Sequence, residues 1–506
     1  MSPVLRVAVG LVAALLIGGC GVEATDGALR MGLANAPRNF DPRFATDAAS
    51  ERVNRLLYRR LTELDGAGRP VPSLATWERL GPTHYRFTLG PDGRLFSDGS
   101  RLVAQDVVAT FASILDPALG SPHRAVFTQV EAVDSDGPDR VDFRLREPDP
   151  LFPAYLGIGI LPADRIAAGH PFASEPVGSG PMRLAERPLA GRVRLERRDD
   201  GQLIELVLVK DPNVRVMKLL RGEIDLLQND LPPELIDYLA RQPQVQVRRE
   251  PGVNFSYLGF NLEDPHTGRL EVRQAIAHAI DREAILRHLF RGGGRLAAGL
   301  FPPEHWAGGR GTGPDYAPEH ARALLAAAGY DRERPLALSY KTSSDPFRVR
   351  LATLIQAQLA EVGILLKVQS YDWGTFYGDV KAGRFQLYAL SWVGVRTPDI
   401  FRYAFHSGAV PPQGANRGRY ASAAADRLIE SARVPADLDR AAGLYRELQA
   451  VLLDDLPYVP LWYEDQVLAA RVGIEGYHLA ADGNYDGLLR VRLASTGRGR
   501  AGDVSD

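Results

Sequence analysis

The side chains that could carry catalysis are dispersed along this chain. Residues 177–180 read Val-Gly-Ser-Gly, and they lack the first glycine of the turn that presents a nucleophilic serine in many hydrolases. The glycine-rich run at residues 291–295 follows a predicted helix and has no Lys-Ser/Thr, which excludes a phosphate-binding P-loop. Asp454 and Asp455 precede Leu-Pro, where we expect a solvated helix end. These patterns predict no catalytic centre.

Metal ligands are no better grouped in the sequence. The ten histidines are scattered. On one predicted helix, His278 and His288 would stand about 80° off a common face and about 15 Å apart along the axis. The single cysteine, Cys20, excludes an intramolecular disulfide and any multi-cysteine metal site. We therefore expect no metal site and no cofactor.

The N-terminus resembles an export signal. A basic residue precedes the apolar run at residues 7–17, which is too short for a membrane span of about 20 residues and fits the apolar region of a secretory signal. Residues 17–20 (Ile-Gly-Gly-Cys) resemble a bacterial lipobox. We expect residues 1–19 to be a signal peptide and Cys20 to be lipidated, so that the chain faces the periplasm or the cell exterior. An ordinary signal peptide with a chance cysteine is the alternative.

Composition indicates a globular protein of several domains. At about 150 residues per domain, 506 residues predict roughly three domains. Hydrophobic residues make up 45% and charged residues 24% of the chain, which excludes wholesale disorder and a polytopic membrane protein. Lys and Arg number 60 against 62 Asp and Glu, so a strongly basic nucleic-acid-binding protein is excluded as well.

Hydrophobic periodicity predicts alternating strands and helices. Residues 84–89 and 141–145 alternate between apolar and polar types and predict half-buried strands. Apolar residues at helical spacing predict helices over 272–291 and 348–362, and the second is followed by a strand at 364–369. Mixed elements over this length predict an α/β or α+β protein of several lobes.

Several short blocks together resemble the peptide/nickel-type (family 5) extracellular solute-binding proteins of ABC importers, in particular their dipeptide- and oligopeptide-binding lipoproteins. Each block is weak alone, but they lie in the order of the family and span roughly residues 30–490. The blocks are 39–42 (NFDP), 71–77 (VPSLATW), 96–99 (FSDG), 104–108 (AQDVV), 176–181 (PVGSGP), 222–225 (GEID) and 272–276 (VRQAI).

The resemblance implies an α/β, periplasmic-binding-protein-like fold with two main lobes, an extra inserted lobe and a ligand cleft between lobes. It predicts the following division of the chain: signal peptide 1–19; lipidated tether 20–28; lobe I from 29–46, 175–258 and 470–493; inserted lobe II 47–174; lobe III 259–469; disordered tail 494–506.

Positions in the family's pattern also suggest the ligand contacts and the hinge. The predicted ligand contacts are Asn35, Phe40, Asn229, Tyr257, Tyr371, Trp373, Trp392, Val395 and Arg396. Core packing is the alternative for the aromatic residues near the third-lobe site, and a turn is the alternative for the asparagine at 229. The predicted hinge residues are Phe260, Asn261 and Ala469, with ordinary strand ends as the alternative.

One segment departs from the peptide-binding members of the family. Those members place an aspartate just after a Trp-x-Gly step, where it pairs with the ammonium group of the peptide. Here the matching residue is Val395, followed by Arg396, and a buried ammonium beside a valine and a cation would be disfavoured. We hypothesise that Arg396 favours an anionic or carboxylated ligand. The alternatives are that Arg396 points to solvent and that Asp399 replaces the missing carboxylate.

The sequence therefore predicts a binding protein and no enzyme. It would capture a peptide or similar small solute between its lobes and deliver it to the permease subunits of an ABC transporter. A receptor for a non-peptide anionic solute is the alternative, and an extracytoplasmic hydrolase or a chaperone-like or sensory lipoprotein is a more distant one. We expect a monomer that is held to a membrane by its lipid anchor and does not bind nucleic acid.

Overall fold

The computed structural model describes residues 27–434 and 437–494. The predicted signal peptide, Cys20 and nearly all of the predicted tail lie outside these residues. The strands are β1 (Leu29–Leu33), β2 (Thr62–Leu64), β3 (Pro70–Pro72), β4 (Ala75–Gly81), β5 (His84–Leu89), β6 (Val130–Asp136), β7 (Arg140–Leu145), β8 (Met182–Leu184), β9 (Arg192–Arg197), β10 (Leu203–Leu208), β11 (Leu226–Gln228), β12 (Val245–Phe260), β13 (Gly294–Leu296), β14 (Leu336–Ser343), β15 (Ile364–Tyr371), β16 (Leu387–Trp392), β17 (Tyr458–Arg471), β18 (Ile474–Glu475) and β19 (Arg492–Leu493).

Helices connect these strands in an alternating α/β order. The α-helices are α1 (Ala48–Leu57), α2 (Ala104–Leu115), α3 (Phe152–Tyr155), α4 (Ala163–Ala167), α5 (Pro212–Arg221), α6 (Pro233–Ala240), α7 (Leu270–Ala279), α8 (Arg282–His288), α9 (Pro318–Ala327), α10 (Pro346–Glu361), α11 (Trp373–Lys381), α12 (Asp399–Phe405), α13 (Ala423–Ser431) and α14 (Leu438–Asp455). Within the described part of the chain, none of these helices is long and apolar enough to cross a membrane.

One mixed sheet runs through the body of the molecule. Its strand order is β15-β14-β16-β12-β17-β11-β1-β10-β9-β8, and β13 adds to β17. Helices α7 to α10 pack on one face of the β14–β16 half, and helices α11 to α14 contribute to a second core on that half. The β1–β10 half is likewise packed by helices, with α1 in one core and α5 and α6 in another. The prediction of an α/β protein is confirmed.

Two long strands join the halves of this sheet. β12 and β17 pair antiparallel along most of their length, from Val245 opposite Arg471 to Gly259 opposite Tyr458. The pairing is interrupted twice: residues 251–253 bulge opposite Asp465, and a second, shorter irregularity lies between Ser256 and Tyr257. An interruption of this kind bends a strand and increases its twist, so the two halves of the sheet meet at this bulge.

A smaller antiparallel sheet, β4-β5-β7-β6, forms a separate lobe over residues 75–145. Its inner face carries a cluster of aromatic rings, in which Phe143 lies 5.2 Å from Phe111 and 5.2 Å from Phe152 between ring centroids. The alternating pattern predicted strands at both 84–89 and 141–145, and β5 and β7 lie there. Alternation is clear in these strands because only one face of the sheet is buried.

Two features differ from the sequence-based expectations. The single helix predicted over 272–291 is two helices, because Asp281 leaves the helical conformation and caps α8 by accepting a hydrogen bond from the Ala284 N–H. Helix α1 packs through Val53 and Leu56 into the core that holds β1, although the predicted division assigns residues 47–174 to the inserted lobe. The exact lobe boundaries stay a prediction.

Candidate functional site

A cavity of about 580 Å³ lies where four parts of the chain converge. We call it the inter-lobe cleft. It is lined by Thr46, Ala48, Glu51, Arg52, Arg55, Arg60, Thr62, Glu63 and Leu64, by Ala154 and Gly157, by Val393, Gly394, Arg396 and Thr397, and by Asp482 and Asn484. The segment just after Trp392 therefore faces the helix α1 wall across open space. Another cavity of similar volume, about 630 Å³ beside Arg282, is not lined by any residue of the segment 393–397.

Helix α1 and the residues that follow it, as far as Leu64, supply one wall of the inter-lobe cleft, which we call the α1 wall. Asp47 caps the helix by accepting a hydrogen bond from the Ser50 N–H at 3.0 Å. Ala48, Glu51, Arg52 and Arg55 recur at the three- and four-residue spacing that places side chains on one face of a helix. The opposite face, with buried residues such as Val53, Leu56 and Leu57, packs into the core. The amphipathic pattern of α1 thus turns a charged face toward the cleft.

The charges of this wall are joined in a chain of ion pairs. The Arg55 guanidinium lies 2.7 Å from Glu63 and donates from Nε to Asp486 at 2.9 Å. The other oxygen of Glu63 lies 3.5 Å from Arg60. Burial lowers the pKa of Arg60, and the nearby Glu63 opposes that shift. One carboxylate is therefore shared unequally by two guanidinium groups.

Two guanidinium groups of the wall keep hydrogen-bonding capacity. Arg52 lies over the ring of Tyr485, 5.3 Å from its centroid, and makes no salt bridge within the described residues. Arg60 is only 7% exposed, and its Nε has no hydrogen-bond partner there. An unpaired buried donor such as the Arg60 Nε costs about 1–3 kcal/mol or more, and both residues line the cleft.

Glu51 is the titrating group of the cleft. Burial raises the pKa of its carboxyl from 4.5 to about 7, against the positive charge of Arg60. The side chain keeps 44% of its surface accessible, so the penalty that burial places on the ionised form is only partial. His123 lies 3.9 Å away, and burial lowers the pKa of its imidazole, so it is neutral near pH 7 and does not offset the carboxylate.

Arg396 spans the cleft instead of opening toward a ligand. Its guanidinium donates to Asp482 at 2.7 Å and to the carbonyl oxygens of Leu64 and Asp65 at 2.9 and 2.6 Å. These partners lie on two other parts of the fold, and they occupy the donors that the sequence-based hypothesis assigned to an anionic ligand. The Arg396 side chain is only 20% exposed, so it does not point to solvent, as the alternative interpretation had it.

Trp392 belongs to a buried aromatic cluster beside the cleft. Its indole stacks near Tyr257, with 6.3 Å between ring centroids, and Arg417 lies 4.9 Å from the centre of the Trp392 ring. Arg417 also donates to the Tyr257 hydroxyl at 3.1 Å and to the Tyr377 hydroxyl at 3.2 Å. Cation–π contact and phenol oxygens thus hold a buried cation, and Trp392 is half-buried at the edge of this cluster.

The other predicted contact residues lie outside the lining of the inter-lobe cleft. Phe40 and Tyr257 are buried in separate cores, whereas Asn35 is exposed. Tyr371 and Val395 pack at the edge of the core that contains Tyr257.

Asn229 and Trp373 are accounted for by local structure. Asn229 adopts a left-handed conformation with φ 58°, and its side chain accepts from the Val467 N–H at 2.8 Å and donates to Gln466 at 2.6 Å. These contacts fit the alternative interpretation of Asn229, in which the residue forms a turn. Trp373 is 59% exposed and stacks on Tyr377 at 5.4 Å. Ligand contact by either residue stays a prediction.

The predicted hinge residues are paired inside the two halves of the sheet. Phe260 ends β12 opposite Leu387, and the Asn261 side chain donates to the carbonyl oxygens at 383 and 385. Ala469 pairs with Leu227 and Val247 in the other half. Both breaks in the β12–β17 pairing, at 251–253 and between Ser256 and Tyr257, lie between these positions. The hinge at Phe260, Asn261 and Ala469 stays a prediction.

Sequence reasoning missed the α1 wall and its partners in the 482–486 segment. A charged helix face next to an apolar one is visible in residues 48–57, but the same pattern describes a helix that faces bulk water. Within residues 27–434 and 437–494, no group of three or more His, Cys, Asp or Glu side chains could hold a metal ion.

Comparison with known proteins places these features in a family. A family model described as bacterial extracellular solute-binding proteins, family 5 (middle), matches residues 69–411. The chain is 28% identical to the dipeptide-binding protein of Escherichia coli (strain K12), over 87% of this chain and 90% of that protein. It is also 28% identical to di/tripeptide-binding protein 2 of Pseudomonas aeruginosa (strain UCBPP-PA14), over 90% of this chain and 93% of that protein.

Solved structures of similar fold cover nearly the whole chain. CtaP, an ABC transporter substrate-binding protein from Listeria monocytogenes, matches 92% of this chain and 99% of its own with a TM-score of 0.83 at 23% identity. NikZ from Campylobacter jejuni, solved in complex with Ni(L-His), matches 92% and 99% with a TM-score of 0.77 at 23% identity. These likenesses confirm the predicted multi-lobed binding-protein fold.

Proposed function

The chain belongs to the bacterial extracellular solute-binding proteins of family 5, the solute receptors of ABC importers, and from that premise we propose that it captures a peptide or similar small solute in the inter-lobe cleft. Members of this family bind solutes and are not enzymes. The observation that carries the proposal is the cleft itself, because α1, the segment after Trp392 and the 482–484 segment converge on one cavity of about 580 Å³. A cavity of this size suits a small ligand.

Peptide is the leading ligand class. The relatives named above are called dipeptide- and di/tripeptide-binding proteins and match nine-tenths of their own length. A non-peptide anionic solute is the second candidate. It is favoured by Val395, which stands where peptide-binding members are expected to carry an aspartate, and by the guanidinium groups of the α1 wall.

The proposed function includes a lipid anchor and a permease. The lipobox-like residues 17–20 support lipidation at Cys20, and lipoprotein anchors with two or more acyl chains hold firmly to membranes. The anchored protein would hand its solute to the permease subunits of an ABC transporter as a monomer. Labelling of cells with radioactive palmitate tests the anchor: the full chain takes up label, and the Cys20→Ser variant does not.

Native mass spectrometry of the purified protein, followed by denaturation and identification of the released compound, tests the binding function. We expect a retained solute of small mass, because a ligand enclosed between lobes leaves slowly. A peptide would establish the first candidate, and an organic anion the second. A protein that retains no compound and is not stabilised by any member of a broad solute library would contradict the proposed function.

A further inference from the structure

We infer that the ligand is held through a carboxylate that binds at Arg52 and Arg60 of the α1 wall. The inference rests on the proposed function, because it names the chemical group by which the inter-lobe cleft holds its solute. It assigns the anion contact to two residues that the sequence did not single out, in place of Arg396.

Arg52 offers a prepared cationic surface to the cleft. It lines the cavity, and the Tyr485 ring supports one side of its guanidinium at 5.3 Å. A guanidinium that stacks on an aromatic face keeps N–H groups at its edge available, and the Tyr485 hydroxyl engages part of that edge. Because Arg52 makes no salt bridge within the described residues, a carboxylate that reached this edge could form two parallel hydrogen bonds with it.

Arg60 contributes a second, more deeply buried donor. The residue is 7% exposed, and its Nε has no partner in the described part of the chain. Its 3.5 Å contact with Glu63 is longer than the 2.7 Å contact that Arg55 makes with the same carboxylate. A buried charged group with an open donor is stabilised by an acceptor of opposite charge. Arg60 lines the cavity, but its Nε is buried, so a carboxylate would meet Arg60 through the small part of the side chain that remains exposed.

The balance of charge in the cleft favours an anion over an ammonium group. Arg55 is satisfied by Glu63 and Asp486, and Arg396 by Asp482. Arg52 makes no salt bridge within the described residues, and Arg60 shares Glu63 with Arg55 at the longer distance of 3.5 Å. A ligand ammonium placed among these groups would meet like charges.

Two kinds of molecule carry the required group. One is a short peptide with a free C-terminus, and the other is a small organic acid. Both present a planar carboxylate, which matches the geometry of a guanidinium. A peptide seated in this way would direct its C-terminus to α1 and its N-terminus away from the guanidinium groups.

Isothermal titration calorimetry with matched probes tests the inference. The probes are a pool of dipeptides with free C-termini, the same dipeptides as C-terminal amides, and succinate and glutarate. The proteins are the wild type, Arg52→Gln, Arg52→Lys and Arg59→Gln. Arg59 is exposed and lines other cavities, so its substitution removes the same charge at the neighbouring position without touching the cleft.

We expect at least one carboxylate probe to bind the wild type, and the dipeptide amides to bind roughly tenfold or more weakly than the acids. Arg52→Gln should weaken carboxylate binding by roughly tenfold to a hundredfold, Arg52→Lys should weaken it less, and Arg59→Gln should bind as the wild type does. Arg60→Gln is a supporting variant only, because burial of Arg60 couples it to folding.

Equal affinity for acids and amides, unchanged binding by Arg52→Gln, or no binding of any carboxylate probe would each overturn the inference. These results are distinct from failure of the proposed function. A neutral solute found by native mass spectrometry, or tight binding of the amides, would leave the binding function standing while removing the carboxylate contact.

Discussion

Glu51 stands among charges of both signs on the α1 wall, and its carboxyl is the cleft group whose ionisation falls near neutral pH. Arg60 lowers its pKa, whereas burial and Asp47 raise it. The pKa of the Glu51 carboxyl rises from 4.5 to about 7 on folding, which means that the folded protein favours the protonated carboxyl. The folded protein therefore loses stability as the pH rises from 4.5, where the unfolded carboxyl ionises, to about 7, where the folded one does.

Replacement of Glu51 by glutamine should remove that loss. Below pH 4.5 the variant and the wild type should unfold alike, and at pH 8 Glu51→Gln should have the higher midpoint of thermal unfolding. The size of the gain is expected to be modest, since the carboxyl is accessible from the cavity. Thermal unfolding at pH 4, 6 and 8 measures it, with the exposed Glu131 changed to Gln as the control. A variant that loses stability at pH 8 would contradict the argument.

Protonation of the Glu51 carboxyl should also change the affinity of the cleft for its ligand. If the carboxylate contact at Arg52 is correct, protonation of Glu51 removes a nearby negative charge, so an anion should bind more tightly as the pH falls through 7. The titration of succinate or of the dipeptide pool at pH 6 and pH 8 checks the direction. Tighter binding at pH 8 would indicate that Glu51 contacts a cationic group of the ligand.

Among the structural elements, β12 and β17 have the largest effect on the arrangement of the site. They carry the sheet from one lobe to another, and the bulge at 251–253 is the longer of the two breaks in their pairing. Gly252 is required there by a close approach, because a Cβ atom at this position would lie 2.1 Å from the carbonyl oxygen of Glu464. The bulge can therefore form only if residue 252 lacks a side chain.

Gly252→Ala should force these strands apart and destabilise the protein by about 1–3 kcal/mol. Chemical denaturation measures the free energy of unfolding, and hydrogen exchange should show loss of protection confined first to 245–260 and 458–471. Gly378→Ala is the matched control, because no atom lies within 4 Å of its added Cβ and alanine favours the helix. Equal stability of the two variants would show that the bulge tolerates a side chain.

The sequence predicted elements where the period of apolar residues is clear. β5, β7 and α10 lie where alternation or helical spacing placed them, within a few residues. The helix over 272–291 was wrong because a cap at Asp281 interrupts the chain without interrupting the apolar spacing.

The candidate site was harder to predict than the elements. The polar face of α1 has the same composition whether it meets bulk water or a cleft, so only the tertiary arrangement distinguishes the two. Arg396 was identified as a notable residue, but its partners at Leu64, Asp65 and Asp482 are distant in sequence. A long-range pairing of this kind leaves no local pattern.

At the scale of the whole molecule, Arg396 and Trp306 hold the lobes together. Both contact the turn between β2 and β3: Arg396 donates to Leu64 and Asp65, and the indole of Trp306 donates to the Gly68 carbonyl at 3.0 Å. Arg396 also reaches Asp482. A single side chain thus bridges the segment after Trp392, the end of β2 and the 482–484 segment, which is the arrangement expected of a contact that holds lobes in one relative position.

Arg396→Gln should shift the ligand-free protein toward an open arrangement. Hydrogen bonds to charged groups contribute about 1.5–3 kcal/mol each, and the substitution leaves Asp482 without its cation. Small-angle X-ray scattering should report a radius of gyration above that of the wild type, for which compact packing predicts about 23 Å. The control is Arg332→Gln, at an exposed position between α9 and β14, and it should have the radius of gyration of the wild type. If Arg396→Gln also leaves the radius of gyration unchanged, this role of Arg396 is contradicted.

The pairing of β12 with β17 also has an evolutionary consequence. Gly259 and Tyr458 face each other across the two strands, so the segment encoded between them begins and ends at points about 5 Å apart. A recombination event that exchanged this segment would replace the wall that carries Trp392 and Arg396, while the α1 wall would stay in the recipient. The exchanged segment would have to keep its pairing with residues 255–260 and 462–464 as well as its two adjacent ends. New specificities could then arise by combining walls from different ancestors wherever that pairing is retained.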